Sequence, residues 1–133
     1  MDVRKLQKIA VAALEDIKGR DIEVINTRKL SALFDRIIIA SADSTRQVKA
    51  LARNVQDKVR EAGGDVIGLE GQEGGEWVLV DLGNIVVHVM QPAVRQYYNL
   101  EELWQSHPGR AKKASAEETE ETEDSEETED AST

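Results

Sequence analysis

The fifteen residues from Glu76 to Met90 constrain this chain more than any others. Two apolar runs flank the dipeptide Gly83–Asn84. A Gly-Asn link is a hairpin signal, because glycine takes the positive φ that a type II′ turn needs. A two-residue turn also fixes the pairing. Leu82 must face Ile85, Asp81 Val86, Val80 Val87, Leu79 His88, Val78 Val89 and Trp77 Met90. Side chains alternate between the two faces of a strand. One face therefore carries Val78, Val80, Leu82, Ile85, Val87 and Val89, and an all-aliphatic face belongs in a core. The other carries Trp77, Leu79, Asp81, Val86, His88 and Met90. Asp and His do not suit a plain core, and Trp and Met do not suit a solvated face.

The segments around the hairpin supply the layers it needs. Leu6, Ile9, Ala10, Ala13, Leu14 and Ile17 recur at helical spacing, with Asp2 as cap and Gly19 as stop. Ile22–Ile25 reads as a strand. Asp35–Ser41 contains Ile37, Ile38 and Ile39, a β-branched strand buried on both faces. Asp43 or Ser44 caps a second helix with Val48, Leu51, Ala52, Val55, Val59 and Ala62 inward, ended by Gly63–Gly64. Val66–Leu69 is a third strand. Pro92 stops the last strand, and Ala93–Tyr98 and Leu100–Gln105 are short helical pieces. The order α β β α β β β α predicts a single α/β domain with a mixed sheet of about five strands flanked by helices.

The net charge of −9 is unevenly spread. Residues 111–133 hold two lysines and ten acids, a net of −8, which leaves −1 for the first 110 residues. From Ser115 onward no side chain is both apolar and larger than alanine. Such a segment cannot offset its ordering entropy, so residues 109–133 are expected to form a disordered acidic tail beside a domain at 1–108. The tail reads as a solubilising appendage or as an arm for a basic partner. A nearly neutral body lacks the strongly basic face of a general nucleic-acid binder. There is no cysteine, which rules out disulfides and thiolate metal sites and agrees with a reducing compartment. No apolar stretch approaches ~20 residues, and no leader-like segment opens the chain. A soluble, cytoplasmic protein with no membrane span is expected.

Catalytic constellations are thin. A nucleophilic triad needs a histidine, and the chain has two, His88 and His107. Asp21 and Glu23 could share a strand face as magnesium-binding carboxylates do, or simply sit on a sheet edge. The glycine-rich run Gly68–Glu76 matches no phosphate-binding fingerprint, and its glutamates would repel a phosphate. Arg46, Lys49, Arg53 and Arg60 line one side of the second helix, interrupted by Asp57. They read as a solvated face or as contacts to RNA phosphate. No metal or cofactor is expected. Trp77, Tyr97, Tyr98 and Trp104 are four of the five aromatics, and Arg95 sits among them. Aromatics and arginine are enriched where proteins meet, so this segment reads either as a recognition surface or as a covered sheet face.

The hairpin motif with Arg95, Tyr98, Leu100, Glu101, Leu103 and Trp104 closely resembles the ribosomal silencing factor family, also called the Iojap family. Lys18, Gly19, Asp21 and Ile22 match its KG-x-DI turn. Ser44, Arg46, Gln47 and Val48 match its S-x-RQV helix start, and Gly68, Glu70 and Gly71 its G-x-EG loop. The resemblance runs from about Leu6 to Trp104. It implies a fold like that of nucleotidyltransferases but without their catalytic carboxylates, and a binding protein, not an enzyme. It implies attachment to the large ribosomal subunit through the fourteenth protein of that subunit, on the intersubunit face. There the small subunit would be kept from joining when nutrients are scarce. By matching position, Trp77, Asp81, Leu82, Met90, Arg95 and Tyr98 become the expected contacts, with Glu70 as an acidic rim. Trp77 and Met90 would be apolar anchors, and Arg95 and Asp81 would set register. A minor ribosomal RNA contact and a homodimer of the free protein are further expectations. A magnesium-dependent nucleotidyltransferase and a ribosome assembly adaptor are the alternatives. The chain departs from the family at Asn84, where Asp is usual, so one negative charge is lost beside the expected interface.

Overall fold

The computed structural model describes residues 1–105, and its contacts divide the chain into two units, Met1–Tyr98 and a second that begins at Asn99. The expected acidic tail and His107 lie outside the described residues.

The first unit runs α1 (Val3–Asp16), β1 (Arg20–Asn26), β2 (Arg36–Ser41), α2 (Thr45–Glu61), β3 (Gly68–Glu70), β4 (Trp77–Asp81), β5 (Ile85–Met90) and α3 (Pro92–Tyr98). The strands form one mixed sheet in the order β1-β2-β5-β4-β3. Only the β2–β5 pair is parallel. In the second unit, α4 (Leu100–Gln105) starts at Asn99, whose amide donates to Glu102 Oε1 at 2.7 Å.

Both long helices start where a side chain can cap them. Asp2 accepts from Lys5 N at 2.8 Å, and Ser44 accepts from Gln47 N at 3.1 Å. Gln47 does more than sit in the first turn. Its oxygen takes Asp43 N, and its amide donates to the carbonyls of Ile17 and Lys18. One side chain thus ties the start of α2 to the end of α1. The end of α1 differs from the expected glycine stop. Lys18 takes the left-handed φ of 64°, while Gly19 N bonds Leu14 O at 2.8 Å. Gly19 is needed for closeness instead, because a Cβ there would lie 2.9 Å from Leu14 O. At the end of α2, Gly63 does take a left-handed φ of 91°.

The hairpin pairs as the two-residue turn dictates, from Trp77 opposite Met90 to Asp81 opposite Val86. Gly83 has φ of 93° and Asn84 is not positive, the II′ pattern. All six aliphatic hairpin residues are buried in the core with Ile38 and Ala40 of β2. The same core takes the inward faces of α1 and α2. Ala62 is the exception among the expected inward residues. It is exposed, because it is the C-cap residue at the helix end. β2 is buried on both faces, as its isoleucines required. Among the described residues, no helix is long and apolar enough to cross a membrane.

Candidate functional site

The site is the sheet face turned away from the core shared with α1 and α2. Register places Ile25 of β1, Ile37, Ile39 and Ser41 of β2, and Val86, His88 and Met90 of β5 on that face. All seven are buried. Trp77, Leu79 and Asp81 of β4 share the face and are half-buried, with Glu70 exposed on β3. The centre of the face is therefore closed and its β4–β3 edge is open. The covered reading of the mixed hairpin face describes its centre, and the edge at β4 and β3 is where exposed surface remains.

Trp77 is fixed from two sides. Its indole Nε1–H donates to His88 Nδ1 at 3.0 Å. Its ring lies 4.8 Å from that of Tyr98, tilted by 49°. Aromatic pairs at such close approach are worth about 0.5–1.5 kcal/mol beyond their burial. Tyr97 meets Tyr98 edge-on at 5.0 Å and is 81 % exposed, against 53 % for Tyr98. A ladder of rings thus climbs from buried His88 through Trp77 and Tyr98 to solvent at Tyr97. Tyr97 belongs to the aromatic segment read from the sequence as a candidate recognition surface, but not to the contacts expected by resemblance. Adjacent helical residues lie about 100° apart, so the sequence alone could not say which tyrosine faces out.

His88 accepts the indole proton only when its Nδ1 is unprotonated. Burial keeps it so, pushing the imidazole down from its usual 6.5 to about 4. His88 is thus a satisfied buried histidine that orients the tryptophan.

Arg95 projects from α3 across the closed half of the face. Nη1 donates to Ser41 Oγ at 2.8 Å, and Nη2 lies 3.9 Å from Glu23 of β1. Its side chain is 12 % exposed, so it chiefly ties α3 to the sheet. No local pattern announces Glu23 and Ser41 as its partners, since they meet it only through strand order. Asp81 turns back into the hairpin, accepting from Gly83 N at 2.8 Å.

Two expected contacts need correction. Met90 has no exposed surface, because β4, β5 and β2 bring it to the closed centre of the face. It cannot be a surface anchor. Leu82 is 6 % exposed and points into the α1–α2 core, the opposite side from Trp77. The structure brings Trp77, Tyr98, Asp81 and Glu70 to one edge and leaves Met90 and Leu82 behind it as support.

The carboxylate pair proposed from strand alternation also changes. A bulge between Arg20 and Glu23 breaks the alternation, and Asp21 adopts a positive φ of 50°. Asp21 lies 3.8 Å from Arg20, while Glu23 meets Arg95. Each acid is drawn to a separate cation.

Comparison with known proteins bears on the family and the fold. The family model described as "Ribosomal silencing factor during starvation" matches residues 1–133. The ribosomal silencing factor RsfS of Chromobacterium violaceum is 60% identical over 104 residues, 78% of this chain and 85% of that protein. A more distant relative is the mouse protein named mitochondrial assembly of ribosomal large subunit protein 1. It is 31% identical over 97 residues, 71% of this chain and 42% of its own length. A crystal structure of a Chromobacterium violaceum protein superposes with a TM-score of 0.77 at 55% identity. That match covers 89% of this chain and 95% of the other.

Proposed function

Because this chain belongs to the ribosomal silencing factor family, we propose that it represses translation by occupying the large ribosomal subunit. The β4–β3 edge docks on the fourteenth protein of that subunit, at the intersubunit face, and the small subunit is sterically kept away. The mouse relative's name carries the large-subunit link. The observation that supports the docking edge most is the pre-set indole of Trp77, held by His88 and packed at a tilt against a half-exposed Tyr98.

The chemistry of the edge suits that partner. Glu70, Glu73 and Glu76 are exposed and Asp81 is half-exposed along the same border. Ribosomal proteins are basic as a class, so an acidic rim steers and orients them. Tyr97 and Tyr98 supply apolar area, and Trp77 is already immobilised. Freezing a flexible side chain costs about 0.5–1.5 kcal/mol on binding, and here that cost falls on folding instead.

Silencing by this route needs no bond chemistry. A subunit that carries the factor cannot offer the same surface to its partner, so the two compete by mass action. The same exposed tyrosines would serve self-association of the free protein, which concentration-dependent sedimentation would reveal. An assembly role is the second reading, favoured by the mouse relative's name.

The test is sucrose-gradient sedimentation of purified subunits with and without the protein. Comigration with the large subunit and a smaller joined-ribosome peak are expected. A protein that stays at the top of the gradient, with joining unchanged, refutes the docking reading. Comigration with joining unchanged favours assembly over silencing.

A further inference from the structure

The outer side of α2 carries four cations that the fold leaves without acids among the described residues. Arg46, Lys49, Arg53 and Arg60 are all exposed. The ion pairs among described residues use Arg20, Arg28, Lys58 and Arg95 instead. Asp57 stands one turn from both Arg53 and Arg60 and pairs with neither.

These four residues are aligned. At 3.6 residues per turn they fall within about 60° of the helix circumference, in a stripe roughly 21 Å long. The flank that faces α1 is a different one. Gln47 donates there to the carbonyls of Ile17 and Lys18, and Asn54 to that of Ala13. The stripe lies about a third of a turn away from that flank, on the side of the β3–β4 loop. A Cβ on Gly75 of that loop would come within 3.1 Å of Lys49 Cε. Gln91 bridges the same corner, donating to Thr45 Oγ1 and Gly75 O. The Lys49 end of the stripe therefore flanks the loop that leads into Trp77, although Trp77 itself lies on the sheet face turned away from α2.

Charge is sorted between the two regions. The β3–β4 edge is acidic and aromatic, whereas the α2 stripe is basic with one acid in it. A body of net charge near −1 does not bind RNA broadly, but a local stripe can add contacts once another surface has docked.

We propose that the α2 stripe grips the phosphate backbone of ribosomal RNA beside the protein held by the Trp77 edge. This rests on the docking reading above and adds a second class of contact to it. Guanidinium and ammonium groups on one ridge suit a run of phosphates, and they discriminate by position, not by base.

The experiment compares the full chain with the triple variant Arg46→Gln, Lys49→Gln, Arg53→Gln in binding to intact large subunits. A second triple variant, Lys5→Gln, Lys8→Gln, Lys29→Gln, changes the charge equally on other exposed sites. Each phosphate contact makes affinity fall about 3.5-fold between 50 and 200 mM salt. The α2 variant should therefore bind more weakly at 50 mM and lose up to about 40-fold less affinity over that range. The control should follow the unaltered protein. Binding of the isolated ribosomal protein should be the same for all three.

Equal affinity and equal salt dependence of the α2 variant would sink the RNA contact while leaving the docking reading intact. Weaker binding of that variant to the isolated ribosomal protein would assign the stripe to protein and also overturn the proposal. If the unaltered chain does not bind the subunit at all, the docking reading fails and takes this one with it.

Discussion

Acidification should destabilise this fold through one residue, His88, before the carboxylates titrate. Its imidazole is pushed down to about 4 in the folded protein, against an ordinary 6.5 when the chain is open. The unfolded chain then binds more protons than the folded one between those values, so stability rises with pH there. The contribution is complete above about pH 7 and is lost as pH falls through 6.5 toward 4. Its full size is about 3 kcal/mol, since each pH unit between the two values is worth about 1.36 kcal/mol. By pH 5.5 the loss should already be about 1.4 kcal/mol. Urea unfolding followed by tryptophan fluorescence at pH 7.5 and 5.5 measures it. His88→Gln, which keeps an acceptor for the indole, serves as the reference and cancels the contribution of His107. The unaltered protein should lose about 1.4 kcal/mol more than the variant over that interval. Equal losses would mean that His88 is not buried and neutral, and the account of how Trp77 is held would fall. Subunit binding should stay flat over the same range, because the folded imidazole remains almost fully neutral at pH 5.5.

The other predictions concern single sites. Trp77→Ala should weaken large-subunit binding by about 2 kcal/mol or more, near 30-fold, at unchanged fold by circular dichroism. Met90→Ala should instead cost about 2–5 kcal/mol of folding stability in urea titration, since it empties a closed site. Asn84→Asp adds a negative charge at an exposed turn, and should tighten subunit binding by about 1 kcal/mol or less in a salt-sensitive way. Deleting residues 115–133 should leave gradient comigration nearly unchanged, and its loss would move recruitment to the tail.

The hairpin was legible because a two-residue turn leaves no freedom in register. Every pair from Trp77–Met90 to Asp81–Val86 follows from Gly83–Asn84 and alternation. The burial of β2 was legible from Ile37, Ile38 and Ile39 for a similar reason. What the sequence hid is set by strand order. Met90 and Trp77 face each other across the hairpin and look equivalent as anchors. They differ because β5 lies inside the sheet, between β4 and β2, whereas β4 has only three-residue β3 beyond it. Arg95 likewise looked like a surface group among aromatics, until β1 and β2 brought Glu23 and Ser41 beneath it. The bulge at Asp21 carries no glycine to announce it.

These differences make the site easier to understand. If the protein acts by the proposed occupancy, its contact edge must persist without its partner. The closed half of the face provides that persistence. His88 orients the indole, Arg95 pins α3, and α3 delivers Tyr98 onto Trp77. Met90 directly supports the strand position opposite Trp77. Buried residues of the motif therefore set the shape of the edge, and in the proposed docking the exposed ones are those that meet the partner. On that division, substitutions in the closed half should lower binding only as far as they lower folding. Substitutions at Trp77, Tyr98 or Tyr97 should lower binding beyond any loss of stability. Measuring both quantities on the same set of variants separates the two halves. A closed-half variant that kept full stability yet lost binding would break the division.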